Sequence, residues 1–98
     1  MDITSTTEGT TTTIELDGWL DTSTAPELAE AIGGLDDSCE RLVLDFAKLQ
    51  YISSAGLRVI VAMQKRAAAG GNLVFRSVVP EVMEVFEMTG FDKILTFE

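Results

Sequence analysis

The feature that most constrains this chain is a change of hydrophobic period across one short polar block. Leu42 to Phe46 is an apolar run broken only by Asp45, and it reads as a buried strand. A connector is expected over Ala47 to Ile52, followed by Ser53-Ser54-Ala55-Gly56. From there Leu57, Ile60, Val61, Gln64 and Ala68 recur at helical spacing, one face that is apolar except at Gln64. The two serines therefore stand where a strand hands over to a helix, among unpaired N–H groups and a partial positive charge. Such a place accepts anions.

The simplest reading makes one serine the N-cap, a position at which serine is favoured. A cap needs one hydroxyl, however, and here there are two. Gly56 also falls in the first helical turn, where it costs about 1 kcal/mol relative to alanine. A glycine there suits close approach of a second molecule to the backbone.

Ninety-eight residues suffice for a single domain with one core, expected to span residues 1–98. Cys39 is alone and there is no histidine, which argues against a disulfide framework, a zinc site or an activated cysteine nucleophile. Seven basic residues against sixteen acidic ones give −9, the wrong sign for nucleic acid or an anionic membrane surface. The first seven residues lack the basic and apolar regions of a signal peptide, and no apolar run approaches a membrane span. A cytoplasmic location is expected.

Along the chain, Met1 to Thr7 suits either an edge strand or a mobile end, with a turn at Glu8-Gly9. Thr10 to Leu20 alternates as a half-buried strand, with Gly18 marking a bulge and Trp19 pointing away from Leu16 and Leu20. Trp19 is a candidate contact beside the turn that follows it. In Asp21 to Glu27, Thr24 and Glu27 match a capping box, Pro26 suits the first helical turn, and Asp21 is assigned to the turn itself. Leu28, Ala29, Ile32 and Leu35 form the buried face, and Gly33-Gly34 ends that helix. Lys65 and Arg66 suit the last turn of the central helix, which Gly70-Gly71-Asn72 stops. Leu73 to Val78 is a strand, and Pro80 opens a third helix that buries Val82, Val85 and Phe86. Gly90 suits a left-handed ending with Phe91 packed back on Phe86, Met83 and Met88 are expected at or near the core, and Ile94 to Phe97 is a last short strand. Strands and helices in this order, with short connections, imply an α/β fold with a mostly parallel sheet.

Three blocks carry a family resemblance. Tyr51-Ile-Ser-Ser-Ala-Gly-Leu57 resembles the signature loop of STAS domains, above all the bacterial anti-sigma factor antagonists, whose usual form is Asp-Ser-Ser/Thr-Gly-Leu. Gly18 to Ala25 is similar to the family's Gly-x-Leu-Asp turn, and Phe86 to Ile94 to its helix end and last strand. The resemblance implies a STAS-type β-α superhelix with four to five strands and three main helices. Many members carry a further helix after the last strand. None is evident in this sequence, and contacts made by that helix are not carried over.

The function implied is a switch between proteins. Antagonists of this family bind an anti-sigma factor that is also a serine kinase, and so release a sigma factor; a metal-dependent serine phosphatase reverses the phosphorylation. The phosphoacceptor falls on Ser54, and the partner surface on Asp21, Thr22, Ser53, Ser54, Ala55, Gly56, Leu57 and Arg58. Here Ser53 stands where the family has aspartate, and Ala55 where it has its second serine or threonine. No cofactor, catalytic residue or metal is expected. A serine hydrolase is disfavoured, because Ser54 has no histidine and Lys65 lies about three helical turns away. A second reading with the same fold is the STAS subunit of a lipid ABC transporter, docking on its ATPase.

Overall fold

A computed structural model describes residues 1–34, 39–68 and 72–98, the side chains of 66–68 excepted. The elements are β1 (Asp2–Glu8), β2 (Thr11–Leu20), α1 (Ala25–Gly33), β3 (Arg41–Ile52), α2 (Ser54–Ala68), β4 (Asn72–Arg76) and α3 (Pro80–Thr89), followed by a 3-10 turn at Phe91–Lys93. The sheet runs β1-β2-β3-β4. β1 joins β2 as an antiparallel hairpin, so the Thr-rich start is an edge strand, while β2–β3 and β3–β4 pair in parallel across α1 and α2. Expectations resting on Leu35, Gly70, Gly71 and the side chains of Arg66 and Ala68 lie outside the described residues.

All three helices share one core with a single face of the sheet. Ile14, Leu16, Leu44, Phe46 and Phe75 meet Leu28 of α1, Ile60 of α2 and Phe86 of α3. Phe46, Phe75 and Phe86 form a ring triad with centroids 5.4, 6.0 and 6.4 Å apart. Aromatic pairs of this kind add about 0.5–1.5 kcal/mol each beyond the area they bury. The opposite sheet face carries Thr13, Glu15 and Asp17 of β2 beside Val43, Asp45 and Lys48 of β3. Asp45, the one polar break in its apolar run, belongs to that second face. There it accepts from Ala47 N at 2.9 Å and pairs with Arg76 at 3.0 Å.

β3 is more than twice as long as its apolar run suggests, and the residues expected as a connector continue the strand to Ile52. The cause is a pair of register shifts against β2, between Glu15 and Asp17 and between Gly18 and Trp19. Each adds one residue to β3, so Phe46, Leu49 and Ile52 reach the core at a spacing of three instead of two. Gly18, with φ 121°, sits at the second shift, as its place in the alternation suggests.

Other departures concern helix faces and the chain's end. In α2 the buried line is Gly56, Ile60 and Met63, with Leu57 only half-buried. In α1 Ala29 is exposed, and in α3 Met88 is 80% exposed. Gly90 takes the left-handed conformation at φ 78°, but the ring that meets Phe86 from the following segment is Phe97, at 6.0 Å. The last strand is a single parallel bridge between Phe75 and Phe97, because the turn at Phe91–Lys93 takes up the residues before it. Replacing Phe75, which touches three other rings, with alanine is expected to cost about 3–5 kcal/mol in a urea melt.

Candidate functional site: the α2 start and its flanking turn

The ends of β2 and β3 are clamped side by side. Leu20 and Ile52 are register partners, and Ser53 N donates to Leu20 O at 2.8 Å. This brings the Asp21 turn and the Ser53–Arg58 segment to one edge of the sheet, at the C-terminal ends of its parallel strands. Open α/β sheets present their binding sites there.

Ser53 and Ser54 have different environments. Ser53 is half-buried just before α2, and its Oγ accepts from Gly56 N at 3.4 Å, a long N-cap bond. Ser54, the first residue of α2, is exposed. The first turn of the helix contains no acidic residue, so its positive end is not neutralised from within. Ala55 and Leu57 are half-buried against the core, and Arg58, one turn beyond Ser54, is exposed.

Gly56 has an internal explanation. A β-carbon there would lie 2.7 and 2.9 Å from Leu20 Cγ and Cδ2 and 3.1 Å from Ile52 Cγ1. The close approach expected of a second molecule is made by the protein's own strand ends. Gly56 is buried and presents no side chain, so it shapes the site by letting α2 sit down on Leu20.

The Asp21 turn is built differently from the expected capping box. Thr24 is the N-cap residue of α1 by position but makes no side-chain cap bond. Its hydroxyl donates to Trp19 O at 2.7 Å and accepts from Asp21 N at 2.8 Å. Asp21 supplies the acceptor instead: its Oδ1 takes bonds from the Ser23 hydroxyl at 2.7 Å, Ser23 N at 3.0 Å and Thr24 N at 3.1 Å. The Ser23 hydroxyl is the main cause that holds the Asp21 carboxyl below its ordinary value of 3.8, against an opposing effect of desolvation. Asp21 is thus a structural anion, and the neighbouring Thr22 is exposed.

Among the described residues there is no cluster of metal-ligating side chains, and no helix is long and apolar enough to cross a membrane. The geometry offers a surface: an exposed hydroxyl at a helix start, framed by a rigid turn. The sequence pattern did not reveal a second feature of this edge. Trp19 and Tyr51, register partners on β2 and β3, are 57% and 47% exposed with ring centroids 5.3 Å apart. Trp19 was legible as outward-facing; Tyr51 was hidden by the bulges in β3.

A mostly parallel sheet, helices on one face and a serine pair at the helix start after a central strand define a STAS-type domain. A family model described as Mlab, STAS domain, matches residues 3–96. BtrV of Bordetella bronchiseptica, assigned as an anti-sigma factor antagonist, is 42% identical over 78 residues, which cover 78% of this chain and 67% of that protein. The chain belongs to the STAS domain family. Its fold is shared by an anti-sigma factor antagonist from Mycobacterium paratuberculosis, with a TM-score of 0.88 and 24% identity over 98% of this chain and 83% of that one. It is shared too by the phosphorylated form of the Bacillus cell fate determinant SpoIIAA, with a TM-score of 0.74 and 18% identity over 99% and 91% of the two chains.

Two outcomes are expected at this site. Gly56→Ala gains about 1 kcal/mol of helix propensity but forces Leu20 aside at a typical overpacking cost of about 1–3 kcal/mol. Urea melts should therefore show a net loss, with Ser53→Ala losing about 0.5 kcal/mol, the low end for a cap. For Asp21, whose folded pKa is depressed, the stabilisation is fully present above 3.8 and is lost as pH falls through the folded value. Ser23→Ala should move the Asp21 pKa up towards 3.8, as read by carboxyl NMR titration.

Proposed function

We propose that this protein is an anti-sigma factor antagonist, one that binds an anti-sigma factor with serine kinase activity and releases a sigma factor in the cytoplasm. The observation that carries the reading is the exposed Ser54 at the start of α2, beside a Ser53 already engaged as cap, in a chain 42% identical over 78 residues to a protein named as an anti-sigma factor antagonist. Asp21, Thr22, Ser53, Ser54, Ala55, Leu57 and Arg58 form the docking surface, with Gly56 setting its height. The whole chain acts as one domain and catalyses nothing itself.

Phosphorylation of Ser54 by the kinase is the off-switch, and a metal-dependent serine phosphatase resets it. A phosphate adds about −1.5 to −2 charge and three acceptor oxygens. The unneutralised helix start accommodates that charge without refolding, whereas a partner packed over the same spot meets a bulky hydrated anion. Ser53, in place of the family's aspartate, removes a carboxylate from beside the acceptor and favours double negative charge there.

A second reading keeps the fold and changes the client: a STAS subunit docked on the ATPase of a lipid ABC transporter. It is supported by the description of the matching family model, Mlab, STAS domain. Purification from the native cell distinguishes the two by the ATPase recovered.

With the kinase and ATP, mass spectrometry is expected to find phosphate on Ser54; phosphate mainly on Ser53 contradicts the assignment. Ser54→Asp should weaken binding to the anti-sigma factor tenfold or more, since a desolvated unpaired carboxylate costs several kcal/mol, while Ser54→Ala retains it. Calorimetric titration checks both. Equal affinities for the two folded variants would remove the Ser54 loop from the interface.

A further inference from the structure

Beside the Ser54 loop, on the sheet face that the helices leave uncovered, lies the Trp19–Tyr51 pair. The two rings are tilted at 46° with centroids 5.3 Å apart, and Trp19 Nε1 donates to Gln50 Oε1 at 3.4 Å. The other ring contacts among the described residues all belong to the phenylalanine cluster of the core. Here two aromatic side chains are held in a fixed arrangement by a register pair yet stay about half exposed. Large rigid aromatics of this kind anchor interfaces. Tyr51 precedes Ser54 by three residues, which bounds their separation at about 11 Å. That separation lies within the footprint of one interface of standard size.

The charges around the pair select the partner. Asp17 precedes Trp19 by two residues on the same strand face, with Glu15 beyond it, and Asp2 of β1 is the register partner of Asp17. Lys48 of β3 is the register partner of Asp17 on the other side, Asp45 is ion-paired to Arg76, and the turn that follows holds the Asp21 carboxyl below its ordinary value. Acidic groups thus outnumber the basic ones on an aromatic surface, in a chain of net charge −9. A cation over an indole face with carboxylates at its rim meets both preferences, and the planar guanidinium of arginine meets them better than lysine. Two copies of this chain would repel each other at the same surface, and nucleic acid or an anionic bilayer carries the wrong sign.

We infer that Trp19 and Tyr51 form a second contact surface, continuous with the Ser54 loop, that seats an arginine-bearing segment of a basic protein partner. The inference rests on the reading of that loop as a docking surface and adds the chemistry of what docks beside it. It also supplies a contact that lies outside the phosphorylated spot, so it sets affinity without itself being switched.

Trp19 is the single tryptophan, and its emission reports the surface directly. The full chain is titrated with a nine-residue peptide of alternating arginine and glycine, and with glutamate–glycine as control. A saturable change in Trp19 emission with the arginine peptide alone is expected. Asp17→Asn should weaken it severalfold, while Glu84→Gln, an equal change of charge on exposed α3, should leave it unaltered. Equal weakening by both variants would show attraction to net charge only and overturn the inference. In a second arm, Trp19→Ala is expected to weaken binding to the purified anti-sigma factor kinase about tenfold, with unchanged circular dichroism. Kinase binding that is lost with Ser54→Asp but unaffected by Trp19→Ala overturns this surface and leaves the proposed function standing. A kinase that binds no variant, beside an intact peptide response, overturns the function and leaves the surface. Sedimentation showing a dimer abolished by Trp19→Ala assigns the pair to a second copy instead, and equally overturns the inference.

Discussion

The contact on which the site depends is the seat of α2 on the ends of two strands. Leu20 and Ile52 close the parallel pair β2–β3, and the backbone of Gly56 rests on them with no room for a β-carbon. That contact sets the height and direction of the helix. It thereby decides that Ser53 turns in to cap and Ser54 stands out to solvent. The same strand ends carry the Asp21 turn on one side and the Trp19–Tyr51 pair on the other. One apolar junction in the interior thus positions every polar and aromatic group at that edge.

Much of this was legible in the sequence, where one physical rule dominated locally. The switch of period at Ser53-Ser54 located the strand-to-helix junction, and Gly18 announced a break in alternation. The legible parts failed where two rules competed. Two bulges gave Phe46, Leu49 and Ile52 a spacing of three, so a strand looked like a connector and the pairing of Tyr51 with Trp19 was not legible. Thr24 and Glu27 fit a capping box by spacing, yet Asp21 lay closer in the tight turn and its carboxylate is the stronger acceptor. Gly56 was correctly read as a close approach but assigned to the wrong partner. Neither the approaching Leu20 nor its distance can be read from neighbours in the chain.

The division between a rigid frame and an exposed hydroxyl suits regulation by charge. The core is continuous from β2 to the Phe46–Phe75–Phe86 triad, and Ser54 is not among its residues. On the proposed reading, a phosphate there would change what can pack against the surface and leave the packing beneath it alone. The acidity of the chain acts in the same direction, since every added negative charge raises the cost of approach for all but a basic partner.

On the proposed reading, partner binding is confined to the edge where β2 and β3 end. Amide chemical shifts of the isotope-labelled protein, recorded as unlabelled anti-sigma factor is added, test it residue by residue. Large perturbations are expected on residues 17–24 and 50–58, with those of the exposed face of α3 near zero. Perturbations centred on α3 and the segment after it, with Ser54 undisturbed, would contradict it.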